Sequence, residues 1–322
     1  MGPTAAGKTD LAIALAQHLP VDVISVDSAM VYKGMNIGSA KPSPEELAKV
    51  PHRLIDICDP AKPYSVADFC DNAEVEIQRS VANSRIPLLV GGTMMYFKAL
   101  LDGLADMPAS DASVRAAIAE EAERLGWPAL HEQLMAVDPE YARQLHPNHS
   151  QRISRALEVY RLSGKTMGSL REAQRLNQVD DAVLLTNRFD VIQLALLPSE
   201  RSVLHARIEK RFLQMLEQGF VDEVKQLHHR GDLHLDLPSM RAVGYRQVWH
   251  YLDALEKANE DYSYETMVHR GLVATRQLAK RQLTWLRAWP DLHRLPIDES
   301  MNGSTLQKNV EFILNFLSTR SI

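Results

Sequence analysis

Gly2-Pro3-Thr4-Ala5-Ala6-Gly7-Lys8-Thr9 fits the pattern G-x-x-x-x-G-K-[ST], with a helical pattern directly behind it. The glycines let the backbone wrap an anion so that successive N–H groups point inward, and a helix N-terminus adds its positive end. Lys8 neutralises phosphate oxygens, and the hydroxyl of Thr9 is placed to ligate Mg²⁺. A glycine turn that merely caps a helix has no use for Gly-Lys-Thr at this spacing. What such a loop recognises is phosphate or diphosphate, and ATP is only one of the diphosphates it can hold.

A carboxylate stands close by in the sequence. Val23-Ile24-Ser25-Val26-Asp27-Ser28 puts Asp27 at the carboxyl end of a β-rich run, the edge at which open α/β sheets bind ligands. Three roles compete for it: a Mg²⁺ carboxylate, a general base, or a plain cap on the following turn. The second β-rich run, Leu88-Leu89-Val90-Gly91-Gly92-Thr93, carries no acid where a metal-binding or water-activating aspartate would be expected. Its two glycines allow close backbone approach and Thr93 offers a hydroxyl, although a tight strand-to-helix turn would explain the same residues.

Basic residues form three sets. Thr266–Trp289 holds Arg270, Arg276, Lys280, Arg281 and Arg287 and no acid. On a helix, Arg276, Lys280 and Arg287 share one side, beside an apolar stripe of Leu272, Ala279, Leu283 and Leu286. With Trp285 and Trp289 nearby, this strip suits a nucleic-acid backbone; the competing reading is a solvated face. Gln151-Arg152-Ile153-Ser154-Arg155 opens another helical pattern, and Arg207 and Arg211 stand four apart on a third. Either pair of arginines could clamp an anion, or could instead be spent on Glu158 or Glu209.

Three kinds of element must position these groups. In the first third, Leu11–Leu19 is predicted as a helix and Val21–Val26 and Ile86–Val90 as buried strands, an order that implies βαβ units and a parallel sheet. From Ser113 to about Leu170 the pattern is helical, with breaks at Gly126-Trp127-Pro128, Asp138-Pro139 and His146-Pro147-Asn148. After the polar stretch Arg175–Arg188, strand character returns at Ile192–Leu197, followed by a long helix from Ser199 to Gly219. The expected organisation is therefore an α/β core interrupted by a helical insertion: core residues 1–108, insertion 109–184, and core continuation with basic helices over 185–322. A phosphate loop normally follows a central strand, and here it starts at residue 2. The first core strand is therefore expected to lie before residue 1.

The 322 residues leave room for about two such units. Hydrophobic residues make up 45% and charged residues 24%, which excludes a fibrous or low-complexity chain. The formal net charge of −5 excludes a polycation that coats nucleic acid through bulk charge, so any RNA contact must be local. Two cysteines, Cys58 and Cys70, make neither a disulfide framework nor a four-ligand zinc site, and point to a reducing cytoplasm. No apolar run reaches the ~18 residues of a bilayer span, so no membrane partner is expected.

Several motifs in order resemble one family. They are the loop Gly2–Thr9; Ser25-Val26-Asp27-Ser28 running on to Tyr32-Lys33-Gly34-Met35 and Gly38-Ser39-Ala40-Lys41-Pro42; Pro51-His52-Arg53-Leu54; Gly91-Gly92-Thr93-Met94; Arg155-Ala156-Leu157-Glu158-Val159; Val243-Gly244-Tyr245-Arg246-Gln247; and Arg276 through Arg287. Together they resemble the bacterial tRNA dimethylallyltransferases, the tRNA isopentenyltransferase family, over residues 2 to about 290. The resemblance implies a P-loop kinase-like core with a helical insertion domain, Mg²⁺ dependence, and transfer of a dimethylallyl group from dimethylallyl diphosphate to N6 of adenosine 37 in the tRNA anticodon loop. It implies that Asp27 is the general base, with Lys8 and Thr9 also catalytic. Gly2, Pro3, Thr4, Ala5, Ala6, Gly7, Lys8, Thr9 and Arg211 would hold the diphosphate, with Thr9 on Mg²⁺.

The tRNA contacts it implies fall in five places. Around the first two loops they are Asp27, Ser28, Ala29, Met30 and Thr93. Within the insertion they are Arg115, Gln151, Arg152, Ile153, Ser154 and Arg155. A third set is Arg241, Ala242, Val243, Gly244, Tyr245 and Arg246. The last helix supplies Lys280, Arg281, Gln282, Leu283, Thr284, Trp285, Leu286 and Arg287. A monomer is the default expectation. Two other functions remain open on the residues alone: an ATP-dependent small-molecule or nucleotide kinase, and a non-catalytic P-loop RNA-binding protein.

Overall fold

The computed structural model describes residues 1–104, 107–176, 184–258, 261–298 and 303–319. Residues 177–183 of the polar stretch Arg175–Arg188 lie outside these. The chain forms two compact units, one of Met1–Lys98 with Ile192–Ile322 and one of Ala99–Val191.

The first unit begins with the phosphate loop and α1 (Lys8–Ala16), followed by β1 (Val21–Val26), α2 (Pro44–Lys49), β2 (His52–Arg53), α3 (Val66–Ala82) and β3 (Ile86–Gly91), and then α4 (Met94–Asp102). β1 lies between β2 and β3 in a parallel three-stranded sheet, with Val21 opposite Ile86 and Val26 opposite Gly91. Five of the six β1 residues are buried, which is why its sequence reads as a continuous apolar run. Ser43 and Ser65 close capping boxes that start α2 and α3, each bonded reciprocally to the acid three residues on, Glu46 and Asp68.

The second unit contains α5 (Ala112–Leu125), α6 (Trp127–Val137), α7 (Pro139–Ala142), α8 (Ser150–Ser163), α9 (Met167–Leu176) and α10 (Leu185–Arg188). Its core gathers Ile118, Leu130, Leu134, Ile153, Leu157 and Val159. Buried Glu158 accepts from Ser110 Oγ at 2.7 Å, from Asp111 N at 2.9 Å and from Arg155 Nη1 at 2.8 Å, so its charge is fully partnered.

The first unit resumes with β4 (Leu194–Pro198), α11 (Arg201–Glu217), α12 (Phe220–His228), α13 (Tyr245–Glu256), α14 (Tyr264–Arg287), β5 (His293–Ile297) and α15 (Gly303–Ser318). β4 and β5 form a parallel pair, and Met1 stands beside β4: its amino group donates to Leu194 O at 2.7 Å and its carbonyl accepts from Leu196 N at 3.0 Å. The parallel core is therefore present, among the described residues, as a three-stranded and a two-stranded piece. β5 is an element that the sequence reading did not contain. Its residues His-Arg-Leu-Pro-Ile alternate exposed Arg294 and Pro296 with buried Leu295 and Ile297, a half-buried strand pattern that is short and interrupted by a proline.

Candidate active site

One cleft of about 1020 Å³ opens at the carboxyl ends of β1 and β3, entirely within the first unit. The phosphate loop forms one wall. Gly7 caps α1 in the left-handed region at φ 85°, and Ala5 also has a positive φ of 61°, so the loop folds back over the helix N-terminus. The Nζ of Lys8 donates to Pro3 O at 2.8 Å. Its pKa is pushed down to about 8, first by desolvation and then by Arg211, with Asp27 pulling the other way.

α11 supplies the opposing cations. Arg207 Nε donates to Ala5 O at 2.7 Å, and Arg211 Nη2 donates to the hydroxyl of Thr4. Desolvation pushes the guanidinium of Arg211 down to about 10, Asp27 raising it and Arg207 lowering it. This arginine pair is bonded to the phosphate loop itself and not to Glu209. Glu209 is engaged elsewhere, 2.9 Å from Arg276.

Across the cleft Asp27 follows β1. Its Oδ1 accepts from Ala29 N at 2.8 Å and Met30 N at 3.2 Å, so the aspartate caps its own turn. The cap uses Oδ1 alone, and among the described residues Oδ2 has no hydrogen-bond partner. Thr93 Oγ1 accepts from Ser28 N at 3.1 Å and fixes the loop after β3 to the Asp27 turn. The glycines before it are there for close approach: a Cβ on Gly91 would lie 1.9 Å from Val26 O, and one on Gly92 would lie 2.6 Å from Gln282 Nε2.

Most of the residues implied by the resemblance meet here. Thr4 through Thr9, Asp27 through Met30, Thr93, Arg211, Arg241 through Gly244, Arg281, Gln282 and Trp285 all line the cleft. Gly2 and Pro3 are buried behind the loop. Lys280, Thr284 and Arg287 are exposed on α14, and Arg246 is exposed beside Arg241. Arg115, Gln151 and Arg152 are exposed and Ser154 half-buried in the second unit.

Several expectations need correction. The side chains of Ile153, Tyr245 and Leu286 are at most 0% exposed and belong to the core, so none of them offers a side-chain contact to RNA. Leu283 also packs inward. Tyr245 donates its hydroxyl to Glu223 Oε1 at 2.7 Å, and burial raises its pKa. Gln282 is buried and spends both ends of its amide on backbone. Arg155 is held by Glu158 and by Pro108 O at 2.7 Å. The basic strip also loses Arg276 to Glu209, while Arg281 joins the cleft wall. Thr4 gives its N–H to Gln282, and its hydroxyl oxygen accepts from Arg211.

Two acids were not anticipated. Asp10 and Glu46 line the cleft beside the phosphate loop, and burial together with Glu46 raises the pKa of Asp10. Glu223 was also missed: it accepts from Asn36 N at 2.8 Å, Ile37 N at 2.7 Å and Gly38 N at 3.2 Å, and so moulds the loop that carries Ser39 and Lys41 into the cleft. A glutamate after Gly219 in a helical pattern carries no sequence mark of such a role.

The cleft fits Mg²⁺ better than a metal that needs a protein cage. Among the described residues no trio of acidic, histidine or cysteine ligands converges in it. The Thr9 hydroxyl could take one position on a Mg²⁺ there, with substrate oxygens and water filling others, which is the Mg²⁺ habit.

Comparison with known proteins agrees with this geometry. The IPP transferase family model matches residues 30–289, and the isopentenyl transferase model matches residues 1–58. A tRNA dimethylallyltransferase 2 of Hahella chejuensis is 56% identical over 308 residues, covering 93% of this chain and 90% of the relative. The tRNA isopentenylpyrophosphate transferase of Bacillus halodurans is similar in structure at a TM-score of 0.68 and 34% identity, over 99% of this chain and 95% of that one. A eukaryotic dimethylallyltransferase solved while acting on tRNA gives a TM-score of 0.77 at 27% identity, covering 100% of this chain and 79% of its own.

Proposed function

Because this chain belongs to the IPP transferase family, we propose that it transfers a dimethylallyl group from dimethylallyl diphosphate to N6 of adenosine 37 in the anticodon loop of tRNA. The observation that carries the reading is the sharing of one cleft by two desolvated cations, Lys8 and Arg211, and the carboxylate of Asp27 at the end of β1. The cations mark where negative charge is stabilised. The carboxylate marks where a proton is taken.

In the reaction the N6 nitrogen attacks C1 of the dimethylallyl group, the C1–O bond breaks, and the bonding electrons leave with diphosphate. Lys8, Arg211 and the N-terminus of α1 stabilise the charge that develops on the departing oxygens. Asp27 Oδ2 takes the N6 proton, which matters because the amine lone pair is drawn into the purine ring and attacks poorly while protonated. Such general-base help is worth roughly 10²–10⁴ in rate. Mg²⁺, when bound, supplies further charge neutralisation on the diphosphate, with Thr9 as its protein ligand. The target base must leave its stack to reach the cleft, whose lining includes Met30, Thr93 and Trp285.

A water-activating acid is unnecessary in this chemistry, which suits a β3 that ends in Val90-Gly91-Gly92. The exposed cations of α14 suit the RNA backbone. No helix among the described residues is long and apolar enough to cross a membrane. The test is diphosphate release from dimethylallyl diphosphate and Mg²⁺, followed continuously. Release should require tRNA with adenosine at that position. ATP consumption without tRNA would replace the reading with a kinase, and tRNA binding without release would replace it with a binding protein.

A further inference from the structure

Gln282 is a buried polar side chain on the helix whose outer face carries the free cations, yet it points into the protein. A buried amide costs stability unless both its ends are bonded. Here both are: Oε1 accepts from Thr4 N at 2.8 Å and Nε2 donates to Gly92 O at 2.8 Å. The orientation is fixed by chemistry, since one partner is an N–H and the other a carbonyl.

The two backbone groups belong to two different loops that line the cleft. Thr4 opens the loop that runs to Lys8 and Thr9. Gly92 immediately precedes Thr93, whose hydroxyl accepts from Ser28 N beside Asp27. Gln282 is thus a strut about one amide long between the diphosphate-holding loop and the loop tied to the general base. The fit is tight, because any Cβ at Gly92 would come within 2.6 Å of Gln282 Nε2 and 3.2 Å of Gly2 O.

We propose that Gln282 is a positioning residue that sets the gap between the prenyl donor and the adenosine acceptor, touching neither. This rests on the prenyl-transfer reading above. Near-attack geometry is demanding, and a displacement of about 1 Å can cost on the order of 10²-fold in rate. A strut spanning donor and acceptor loops therefore controls the chemical step more than it controls either binding step.

Three variants test it. Gln282→Met keeps the length and removes both bonds. Gln282→Glu keeps the acceptor for Thr4 but turns an oxygen toward Gly92 O. Gly92→Ala leaves Gln282 intact and forces it back. Each should lower the single-turnover prenyl-transfer rate by about 10–100-fold, with tRNA affinity by filter binding within about threefold of wild type and circular dichroism unchanged. The double variant Gln282→Met with Gly92→Ala should be no slower than the worse single one, because both break the same strut.

A single-turnover rate within about twofold of wild type in Gln282→Met and Gly92→Ala would overturn the proposal. So would a loss of tRNA affinity equal to the loss of rate, which would make Gln282 a tRNA contact. Wild-type protein run in parallel separates this failure from that of the underlying function. If wild type forms no prenylated tRNA, the function reading falls and takes the positioning role with it, whereas prenylation by wild type that Gln282→Met leaves unslowed overturns the strut alone.

Discussion

The cations beneath the cleft and the cations on the outer face of α14 are the same residue types in opposite environments. Lys8 and Arg211 are desolvated and held onto backbone and hydroxyl groups of the phosphate loop, with pKa values lowered to about 8 and about 10. Lys280, Arg281 and Arg287 stand in solvent. A buried charge without a full counter-charge is a cost the fold carries for an anionic ligand, whereas a solvated one costs nothing and acts through screened, long-range attraction. The first set therefore suits a small, dense anion bound in one place. The second suits a polyanion that docks over a strip.

Asp27 lies where this contrast is sharpest, as the carboxylate that raises the pKa of both buried cations. Asp27→Ala should lower the single-turnover rate by about 10²–10⁴ while tRNA affinity is retained. Retained turnover would remove the base role and leave Asp27 as a turn cap.

Lys8→Met should raise KM for dimethylallyl diphosphate and lower kcat/KM by on the order of 10²-fold, roughly the loss of one buried charge-assisted donor. It should at the same time raise Tm at pH 7 by a few °C, about 2–4 °C for each kcal/mol recovered. The sign follows from linkage: between about pH 8 and the unfolded value of 10.5 the unfolded chain holds a proton that the folded chain has lost. Stability from this group therefore rises with pH across that window, and the charged lysine costs stability below it. The Tm gain of the variant should shrink as pH rises and vanish above about 10.5, and wild-type KM for the diphosphate should climb above about pH 8. A Tm at pH 7 equal to or below wild type would show that Lys8 is not strained by burial.

Replacing Lys280, Arg281 and Arg287 together with alanine should reduce the slope of log tRNA affinity against log salt by about 2–3 units. The smallest effect belongs to Arg276, which faces Glu209 at 2.9 Å. Arg276→Gln should change the slope by less than about 0.5 and stability by no more than about 1 kcal/mol. If it instead matched the triple variant in slope per charge, the ion pair would not persist in solution and the strip would be wider than the structure shows.

The difference between the two regions also explains what could be read from the sequence. The phosphate loop, β1 with Asp27, and β3 with its glycine pair are local patterns of loop chemistry and continuous apolar runs; β1 and β3 stand within a residue of their expected bounds, while the helix expected over Leu11–Leu19 runs three residues earlier, Lys8–Ala16. The clamp of Arg207 and Arg211 was visible only as a spacing, because its target lies some 200 residues away on the phosphate loop. On α14 the expected apolar stripe packs inward, Ala279 and Leu286 buried and Leu272 and Leu283 against the core, but the buried face is wider than its apolar residues. The buried face runs through Met267, Gly271, Thr275, Ala279, Gln282 and Leu286, where a glycine accommodates Phe212 and a glutamine bonds two loops. Periodicity of apolar residues cannot find a face buried by small and polar side chains whose reason for burial lies in other elements. Glu223 and Gln282 were opaque for the same reason: each satisfies backbone groups distant in sequence.

The central claim is that the deep cations hold the leaving group of a prenyl transfer whose acceptor is an adenosine of tRNA. Its most direct test is mass spectrometry of nucleosides from tRNA incubated with the protein, dimethylallyl diphosphate and Mg²⁺, before and after an Asp27→Ala change. The account predicts an N6-dimethylallyl adenosine that appears with wild type, maps to the position next to the anticodon, and is nearly lost in the variant. Unmodified adenosine with wild-type protein, in tRNA that it demonstrably binds, would contradict it.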